Sequence, residues 1–360
     1  MRRFAFFITP HGYGHASRAA AVMEAVYRRA AEQGEEACFE IFTHVPVWFF
    51  NMSLRGQFVY HDVMTDIGLA QATSMAEDLD ETLRRLDDFL PFREPVVKEL
   101  AQQVVDLGCE KIICDIAPLG IAVAREAGLP SILVENFTWD WIYEGYLSEE
   151  PRFAPHIAYL RDVFASAGTH IQTIPACLYC PDADLVANVV SRQPRNQRQQ
   201  TREALGIPQD APLVMITMGG IVTQYPFLDR LIDSRDALFL IPGGSDQYEK
   251  RGSLILIPHH SRFFHPDLVE ASDAVIGKLG YSTLAEAYNQ SVPFAFVPRA
   301  RFRESGPMGD FAREKMGAVE LSESRFFSGA WLDLLPDLLA RKQNKPAEIN
   351  GADQIAASLL

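Results

Sequence analysis

The sequence predicts an α/β protein made of two doubly wound domains, each a parallel sheet with helices on both faces. The chain has 360 residues, and a prior of about 150 residues per domain gives two domains. Short, wholly apolar runs alternate with helical patterns, as in buried parallel strands joined by crossover helices. This alternation occurs twice, before and after a stretch rich in proline and polar residues.

The composition is that of an ordinary globular protein. Apolar residues make up 48% and charged residues 22% of the chain, which excludes disorder, collagen and low complexity. The chain has 33 Lys and Arg against 47 Asp and Glu, a net charge of −14 at pH 7. Because nucleic acids and anionic membranes attract basic surfaces, we expect neither as a partner and favour a small or neutral one.

The amino terminus and the cysteines predict a cytoplasmic protein. The apolar run at 4–8 is shorter than the about 7–15 residues of a signal peptide or the about 20 of a spanning helix. The 5 cysteines are odd in number and spread along the chain, which is typical of reduced intracellular thiols. We therefore expect neither a disulfide framework nor a transmembrane segment.

The first half of the chain predicts strands separated by helices. An apolar run at 4–9 precedes a glycine turn and a helical pattern at 19–31, the order of a buried strand followed by a helix. Further strands are predicted at 38–43, 57–60, 111–114 and 131–135, with helices at 79–107, 119–127 and from the segment after residue 141 to 167.

The stretch after residue 167 is predicted to be the inter-domain linker, because it holds Pro175, Pro181, Pro194 and the polar run 191–200. Strands then follow at 213–218, 237–241, 254–257, 274–276 and 294–297, and helices at 282–290, 333–341 and 352–360. We expect domains at 1–190 and 191–345, with a helix in 346–360 at their junction. Two such domains form a cleft at the carboxyl ends of their strands, where ligands bind.

The turn after the first strand carries the first candidate residues. Gly12 and Gly14 permit unusual backbone angles and a close approach of the backbone. Together with Arg18 they are expected to form a loop that contacts phosphate or acceptor. His15 stands at the start of the helix, where the dipole favours the neutral ring that a general base needs. Alternatively, the glycines only form the turn and His15 caps the helix. Arg18 occupies the third glycine position of a dinucleotide fingerprint, which excludes that class.

Asp115 follows the predicted strand 111–114, so it is expected at the same sheet edge as His15. A carboxylate there can bond one imidazole nitrogen, which fixes the tautomer and stabilises the imidazolium. The alternative is that Asp115 caps the next helix.

A second candidate site follows the strand 274–276. Gly280, Ser282 and Thr283 open a helix whose free N–H groups, hydroxyls and dipole suit a diphosphate. Glu286, one turn later, is placed to accept bonds from ribose hydroxyls, or to complete a capping box with Thr283. The pair Gly219-Gly220 after a neighbouring strand is a further phosphate contact.

Several segments together resemble a known family. Residues 11–18, 115–118, 136–143, 265–268 and 273–293 are similar to GT-B glycosyltransferases, in which two Rossmann-like domains face each other. The resemblance covers most of the chain and includes MurG, the peptidoglycan N-acetylglucosaminyltransferase, and its relatives. It is strongest to the glycosyltransferase-like amino-terminal domain of L-arabinokinase.

The resemblance implies a nucleotide-sugar donor on the second domain and an acceptor on the first. It implies that His15 is the base of inverting members and that Asp115 is its partner. Lys278 and Tyr281 depart from the MurG turn, and the segment 299–304 replaces a glutamine-rich one. The donor-binding residues it implies are Gly219, Gly220, Gly280, Ser282, Thr283 and Glu286, and we expect Lys278 to bind the donor beside them.

Other residues are expected to line the acceptor or sugar: Trp139, Asp140, Trp141, Arg299 and Glu304. The alternatives are that the tryptophans fill the core and that the arginine at 299 and its neighbours are solvated. A lone C-x-x-C at Cys177 and Cys180 lacks the four ligands of structural zinc, and the D-x-D at 182–184 lies in the predicted linker. The histidines at 259, 260 and 265 are expected to line the base of the nucleotide.

The predicted function is metal-independent transfer, with inversion, of a hexosyl or N-acetylhexosaminyl group from a nucleoside-diphosphate sugar to a small-molecule or lipid acceptor hydroxyl. The resemblance implies a UDP sugar. His15 removes the hydroxyl proton and helix N-termini neutralise the leaving diphosphate, so no cofactor is expected. The alternatives are a nucleotide-sugar hydrolase and a non-catalytic nucleotide-sugar binding protein.

Overall fold

The computed structural model describes residues 1–73, 75–220, 223–341 and 346–360, which form two compact units. Unit 1 comprises Met1–Ser191, Phe302–Glu304 and Ile349–Leu360, and unit 2 comprises Arg192–Arg301 and Ser305–Glu348. The chain therefore leaves unit 1 after Ser191 and returns to it twice. The predicted end of the second domain, residue 345, lies outside the described residues.

Unit 1 is built on a parallel sheet. Its strands are β1 (Arg2–Ile8), β2 (Ala37–Thr43), β3 (Gln57–Asp62), β4 (Ile112–Asp115), β5 (Ser131–Glu135), β6 (Thr169–Thr173) and β7 (Leu185–Ala187). They are arranged in the order β3-β2-β1-β4-β5-β6-β7, and every neighbouring pair is parallel. β1 lies inside the sheet, between β2 and β4, and its residues 4–8 are apolar and buried because helices cover both faces of the sheet.

The helices of unit 1 follow the strands. They are α1 (Gly14–Glu32), α2 (Val47–Ser53), α3 (Leu79–Phe89), α4 (Glu94–Asp106), α5 (Pro118–Ala127), α6 (Trp139–Glu144), α7 (Ala154–Ala165) and the last helix of the chain, α15 (Gly351–Leu359). The carbonyl oxygen of Leu360, at the end of α15, accepts a hydrogen bond from Nη1 of Arg2 at 3.0 Å. The helix predicted in 346–360 thus belongs to unit 1.

Three predictions for this half of the chain were wrong. The helix predicted from the segment after residue 141 to 167 is a 3-10 helix, Pro151–Phe153, followed by α7. The helix predicted over 79–107 is two helices, because Pro91 and Pro95 lack the N–H group that a continuous helix needs. The predicted linker holds β6, β7 and a helix, α8 (Arg198–Ala204). β6 escaped prediction because it is polar: His170 and Gln172 each approach the buried carboxylate of Glu135 to 2.8 Å.

Unit 2 repeats the architecture with one antiparallel edge. Its strands are β8 (Leu213–Thr217), β9 (Leu238–Pro242), β10 (Glu249–Arg251), β11 (Leu254–Ile257), β12 (Ala274–Lys278), β13 (Phe294–Val297) and β14 (Val319–Glu320). Their order is β10-β11-β9-β8-β12-β13-β14, and only the pair of β10 with β11 is antiparallel among the described residues. The short edge strands β10 and β14 were not predicted.

The remaining helices lie in unit 2. Besides α8 they are α9 (Leu228–Ile232), α10 (His265–Ala271), α11 (Tyr281–Gln290), α12 (Ser305–Met316), α13 (Glu323–Phe327) and α14 (Leu335–Leu339). The helix predicted at 333–341 is a 3-10 helix, Ala330–Leu334, followed by α14. No helix in the described ranges combines the length and apolar character that crossing a bilayer requires.

Gly277 makes a close contact between two strands of unit 2. It pairs with Thr217, and a Cβ atom at this position would lie 1.8 Å from the carbonyl oxygen of Thr217. β8 and β12 would have to separate, so we expect Gly277→Ala to lower the free energy of unfolding by about 3 kcal/mol, measured in urea. Gly306→Ala, with nothing within 4 Å of its Cβ position, is the control. Equal stability of the two variants would contradict the prediction.

Candidate active site

His15 and Asp115 meet at the carboxyl edge of the unit 1 sheet. His15 lies in the first turn of α1, directly after β1, and Asp115 is the last residue of the neighbouring strand β4. Nδ1 of His15 is 3.0 Å from Oδ1 of Asp115, and both side chains are buried. The structure therefore contains the hydrogen bond that the positions of the two residues suggested.

Neither residue caps a helix, so both capping alternatives were wrong. Tyr13 precedes α1 and Ala117 precedes α5, and neither helix start has a side-chain cap. The turn before α1 requires Gly12, whose φ of 67° is a left-handed conformation that glycine adopts without strain. Gly14 does not need such a conformation, but nothing lies within 4 Å of its Cβ position, which leaves space beside the turn.

Arg18, one turn further along α1, binds the same carboxylate. Its Nε donates to Oδ2 of Asp115 at 2.8 Å, and its Nη2 donates to Oδ1 at 2.7 Å. Its Nη1 donates to Oδ1 of Asn136 at 2.6 Å. Arg18 is only 2% exposed, so its guanidinium is engaged inside unit 1. The sequence did not show this carboxylate partner, and contact of Arg18 with phosphate or acceptor stays a prediction.

The charge on Asp115 decides which nitrogen of His15 is available. Burial opposes ionisation of Asp115, but Arg18 and His15 outweigh it and hold the pKa of the carboxyl below its ordinary value. Asp115 is therefore an anion and accepts the hydrogen of Nδ1. A neutral His15 then has its lone pair on Nε2, the nitrogen able to accept a proton.

The tryptophans predicted to stack on a sugar are core residues instead. Trp139 is 0% exposed and packs on Phe137 with ring centroids 5.2 Å apart. Trp141 is 8% exposed, and the guanidinium carbon of Arg303 lies 4.2 Å from its ring centroid. Asp140 is also buried, which raises the pKa of its carboxyl. Stacking on an acceptor was therefore wrong for both rings, because apolar area drew them into the core.

Two polar residues at this edge were not predicted as part of the site. Asn136 directly follows β5, and its Nδ2 donates to Oε1 of Glu304 at 3.0 Å. Asp66 follows β3, and its Oδ2 accepts a hydrogen bond from Oγ1 of Thr9 at 2.8 Å. Their positions in the sequence could have indicated them, since each polar residue comes shortly after a strand of the same sheet.

In unit 2, an ammonium group lies beside two glycine turns. Gly280 precedes α11, which has no side-chain cap, and nothing lies within 4 Å of its Cβ position. Gly219 follows the adjacent strand β8 with a φ of 73°, and a Cβ there would lie 3.7 Å from Nζ of Lys278. Ser282 and Thr283 occupy the first turn of α11. This arrangement places the charge of Lys278 and the start of a helix, where backbone N–H groups commonly bind anions, at the same edge of the sheet.

Glu286 lies one turn into α11, but its carboxylate is held by unit 2 itself. Nε of Arg192 donates to Oε1 at 3.0 Å, and Nδ1 of His265 lies 2.7 Å from Oε2. Burial opposes ionisation, yet these two partners outweigh it and hold the pKa of Glu286 below its ordinary value. The capping-box alternative with Thr283 was wrong. The ribose contact stays a prediction.

The remaining predicted residues are spread over both units. Arg299 is buried in unit 2, and its backbone N–H donates to Oγ of Ser305 at 3.1 Å. His259 follows β11, and burial together with the neighbouring histidines lowers its pKa. Cys177 and Cys180 are free thiols. Within the described part of the chain, no three His, Cys, Asp or Glu side chains are grouped to hold a metal ion.

Two parallel-dominated sheets with interleaved helices, each bearing glycine turns at its carboxyl edge, define the GT-B fold. MurG of Acinetobacter baumannii has a TM-score of 0.56 at 14% identity over 99% of each chain. UGT89C1 of Arabidopsis thaliana, complexed with UDP, has a TM-score of 0.63 at 12% identity, covering 100% of this chain and 98% of the other. Similarities at these identities show the fold alone.

One curated relative is similar in sequence. L-arabinokinase of Arabidopsis thaliana is 26% identical over 363 residues, which cover 99% of this chain. The chain spans 34% of the length of that protein. No family model matches the chain.

Proposed function

We propose that this protein is a glycosyltransferase that moves a sugar from a nucleoside-diphosphate sugar to an acceptor hydroxyl. The proposed donor is a UDP sugar. The observation that carries the proposal is the buried His15–Asp115 pair at the carboxyl edge of unit 1. GT-B enzymes such as MurG and the UDP-bound UGT89C1 support it by their shared fold, and the L-arabinokinase similarity supports it over almost the whole chain.

The proposed reaction is a single displacement with inversion. Nε2 of His15 accepts the hydroxyl proton while the acceptor oxygen forms a bond to the anomeric carbon. The bond from that carbon to the diphosphate oxygen breaks, and the nucleoside diphosphate leaves with the electron pair. Asp115 holds the imidazole in the required tautomer and balances the imidazolium charge. No cofactor enters this scheme.

The donor is proposed to bind unit 2. The N–H groups at the start of α11, the hydroxyls of Ser282 and Thr283, and the glycine turn 219–220 receive the diphosphate, and the ammonium of Lys278 neutralises charge on the leaving group. The ribose hydroxyls donate to the remaining lone pairs of Glu286 or bond to His265, whose side chain is 27% exposed.

Lys278→Met should weaken UDP binding about tenfold, because a charge-assisted contact to phosphate is lost while the fold is kept. Isothermal titration calorimetry with UDP measures the effect. Lys315→Met, an exposed lysine on α12 of the same unit, is the matched control and should bind as the unaltered protein does. Equal dissociation constants for both variants would remove Lys278 from the donor site.

The function is tested by thermal-shift screening with nucleotides and sugar nucleotides, since ligands that bind the native state raise the midpoint. Each UDP sugar that binds is then incubated with and without candidate acceptors. Transfer to an added hydroxyl supports the proposal. Release of free sugar at an undiminished rate without acceptor identifies a hydrolase, and binding without any product identifies a sugar-nucleotide binding protein.

A further inference from the structure

Arg18 is linked to the candidate base through Asp115, and the proposed reaction assigns it no step. We propose that Arg18 is a positioning residue, which fixes the plane of the Asp115 carboxylate against His15 and limits how strongly the His15–Asp115 pair binds a proton. The proposal rests on the proposed function for the reaction that it serves. Its geometry and its first test do not require turnover.

The orientation argument comes from the fork of hydrogen bonds. The Nε and Nη2 atoms of Arg18 bond the two oxygens of Asp115 at 2.8 and 2.7 Å. Two parallel bonds of this kind fix a carboxylate plane more strongly than one can. Oδ1 also receives His15 Nδ1 at 3.0 Å, so any rotation of the carboxylate away from His15 would break both bonds to Arg18.

The fork is anchored from its other side. Nη1 of Arg18 donates to Oδ1 of Asn136 at 2.6 Å and lies 3.3 Å from Oγ1 of Thr173. Arg18 thereby links the carboxyl ends of β4, β5 and β6 by hydrogen bonds. Nδ2 of Asn136 in turn donates to Oε1 of Glu304 at 3.0 Å. A lysine keeps the charge but lacks the planar fork, so Arg18→Lys separates orientation from charge.

The charge argument concerns the proton affinity of the pair. The side chain of Arg18 is 1% exposed and that of Asp115 is 0% exposed, so water screens neither charge. An imidazolium beside a bare buried carboxylate would be strongly stabilised, and a base that stays protonated cannot act. Arg18 neutralises the carboxylate and so weakens this stabilisation, while its hydrogen bonds keep Asp115 in place.

Aromatic rings and ionisable groups surround the His15–Asp115 pair. The rings of Phe137 and Trp139 pack on it with centroids at 5.8 and 6.3 Å, and neither titrates. The ionisable groups on the surrounding segments include His11, whose ring centroid lies 5.2 Å from that of Trp139, Asp66 on Thr9 and Glu304 on Asn136. They also include Cys114 beside Asp115, Cys177 beside Asn136 and Tyr143 against Trp139.

The test is an NMR titration of protein labelled with nitrogen-15 histidine, in which His15→Gln assigns the His15 signals. In Arg18→Gln the pair should take up its proton about one pH unit or more higher than in the unaltered protein, because a neighbouring positive charge is gone. Arg29→Gln, an exposed arginine on the same helix, is the control and should titrate unchanged. An unchanged titration in folded Arg18→Gln would overturn the charge role.

Arg18→Lys is a second variant, which keeps the buried positive charge. It allows the proposal to be tested even if Arg18→Gln does not fold. We expect its pair to titrate close to the unaltered protein, but the Nδ1–H signal to broaden as the carboxylate gains freedom. With a substrate in hand, kcat should fall about tenfold at unchanged KM. A sharp signal and an unaltered kcat would overturn the positioning role. An inactive unaltered protein would reject the proposed function and leave the titration result standing.

Discussion

Replacing His15 by alanine should lower kcat for transfer from a UDP sugar by about 10²-fold or more, with nucleotide affinity nearly unchanged. The proton of the acceptor hydroxyl would have no positioned acceptor, since Asp115 binds the base and not the substrate. UDP would still bind, because the residues proposed for it lie in unit 2. Initial rates and calorimetry with UDP measure the two quantities separately.

His44→Gln is the matched control for this variant. His44 follows β2 at the same edge of the sheet, and its side chain is 40% exposed, so its loss should leave kcat unaltered. If His15→Ala turned over as fast as this control, His15 would not be the base. A loss of UDP binding in His15→Ala would show that the substitution perturbs more than the proton transfer.

Asp66→Asn should make the protein markedly more stable at pH 8 and leave its stability nearly unchanged at pH 4. Burial raises the pKa of Asp66 to about 7, although hydrogen bonds from Thr9 and the backbone of Ile67 oppose the rise. In an unfolded chain the pKa of an aspartate is about 3.9. The folded state therefore binds more protons than the unfolded state between these two pH values.

The sign and size of the effect follow from that difference. The contribution of Asp66 to the free energy of unfolding falls as pH rises from about 4 to about 7, by about 4 kcal/mol for a shift of three units. The full penalty is present above pH 7 and absent below about pH 4. Asparagine cannot ionise, and its amide can bond Thr9 and Ile67, so the variant should lack this contribution.

Urea unfolding at pH 4, 6 and 8 measures the dependence. Asp62→Asn is the matched control, because Asp62 ends β3 a few residues earlier and its side chain is 75% exposed. It should retain the slope of the unaltered protein. A slope that survives in Asp66→Asn would mean that Asp66 is ionised in the folded state throughout this range, and the effect of burial would be refuted.

The strands that could be predicted are those whose side chains are apolar on both faces. β1 and β2 are buried along almost their whole length, because a parallel sheet covered by helices leaves no polar side. β6 violates this rule: its Gln172 is buried and bonds the carboxylate of Glu135. A buried polar pair looks like a loop in the sequence, and only the fold shows that the two groups satisfy each other.

For the candidate site, the positions of residues at the sheet edge could be predicted, but their distant partners could not. His15 and Asp115 were placed together because the carboxyl ends of neighbouring parallel strands meet at one edge. Arg18 was grouped with Gly12 and Gly14 as a contact to phosphate or acceptor, but the carboxylate that it binds in the structure is that of Asp115, 97 positions away along the chain. Glu286 likewise binds Arg192, 94 positions away.

The amino-acid sequence by itself determined the two sheets, the glycine turns at their carboxyl edges and the pair His15–Asp115, because apolar periodicity and strand ends are local properties of a chain. Only the tertiary structure decided which charged side chains are buried and paired with other side chains of the protein. Arg18, Glu286 and the tryptophans of α6 are all of types that bind ligands when exposed, and the fold buries them against other residues of the protein. Pairing over such distances depends on the folded path of the backbone, which local patterns do not specify.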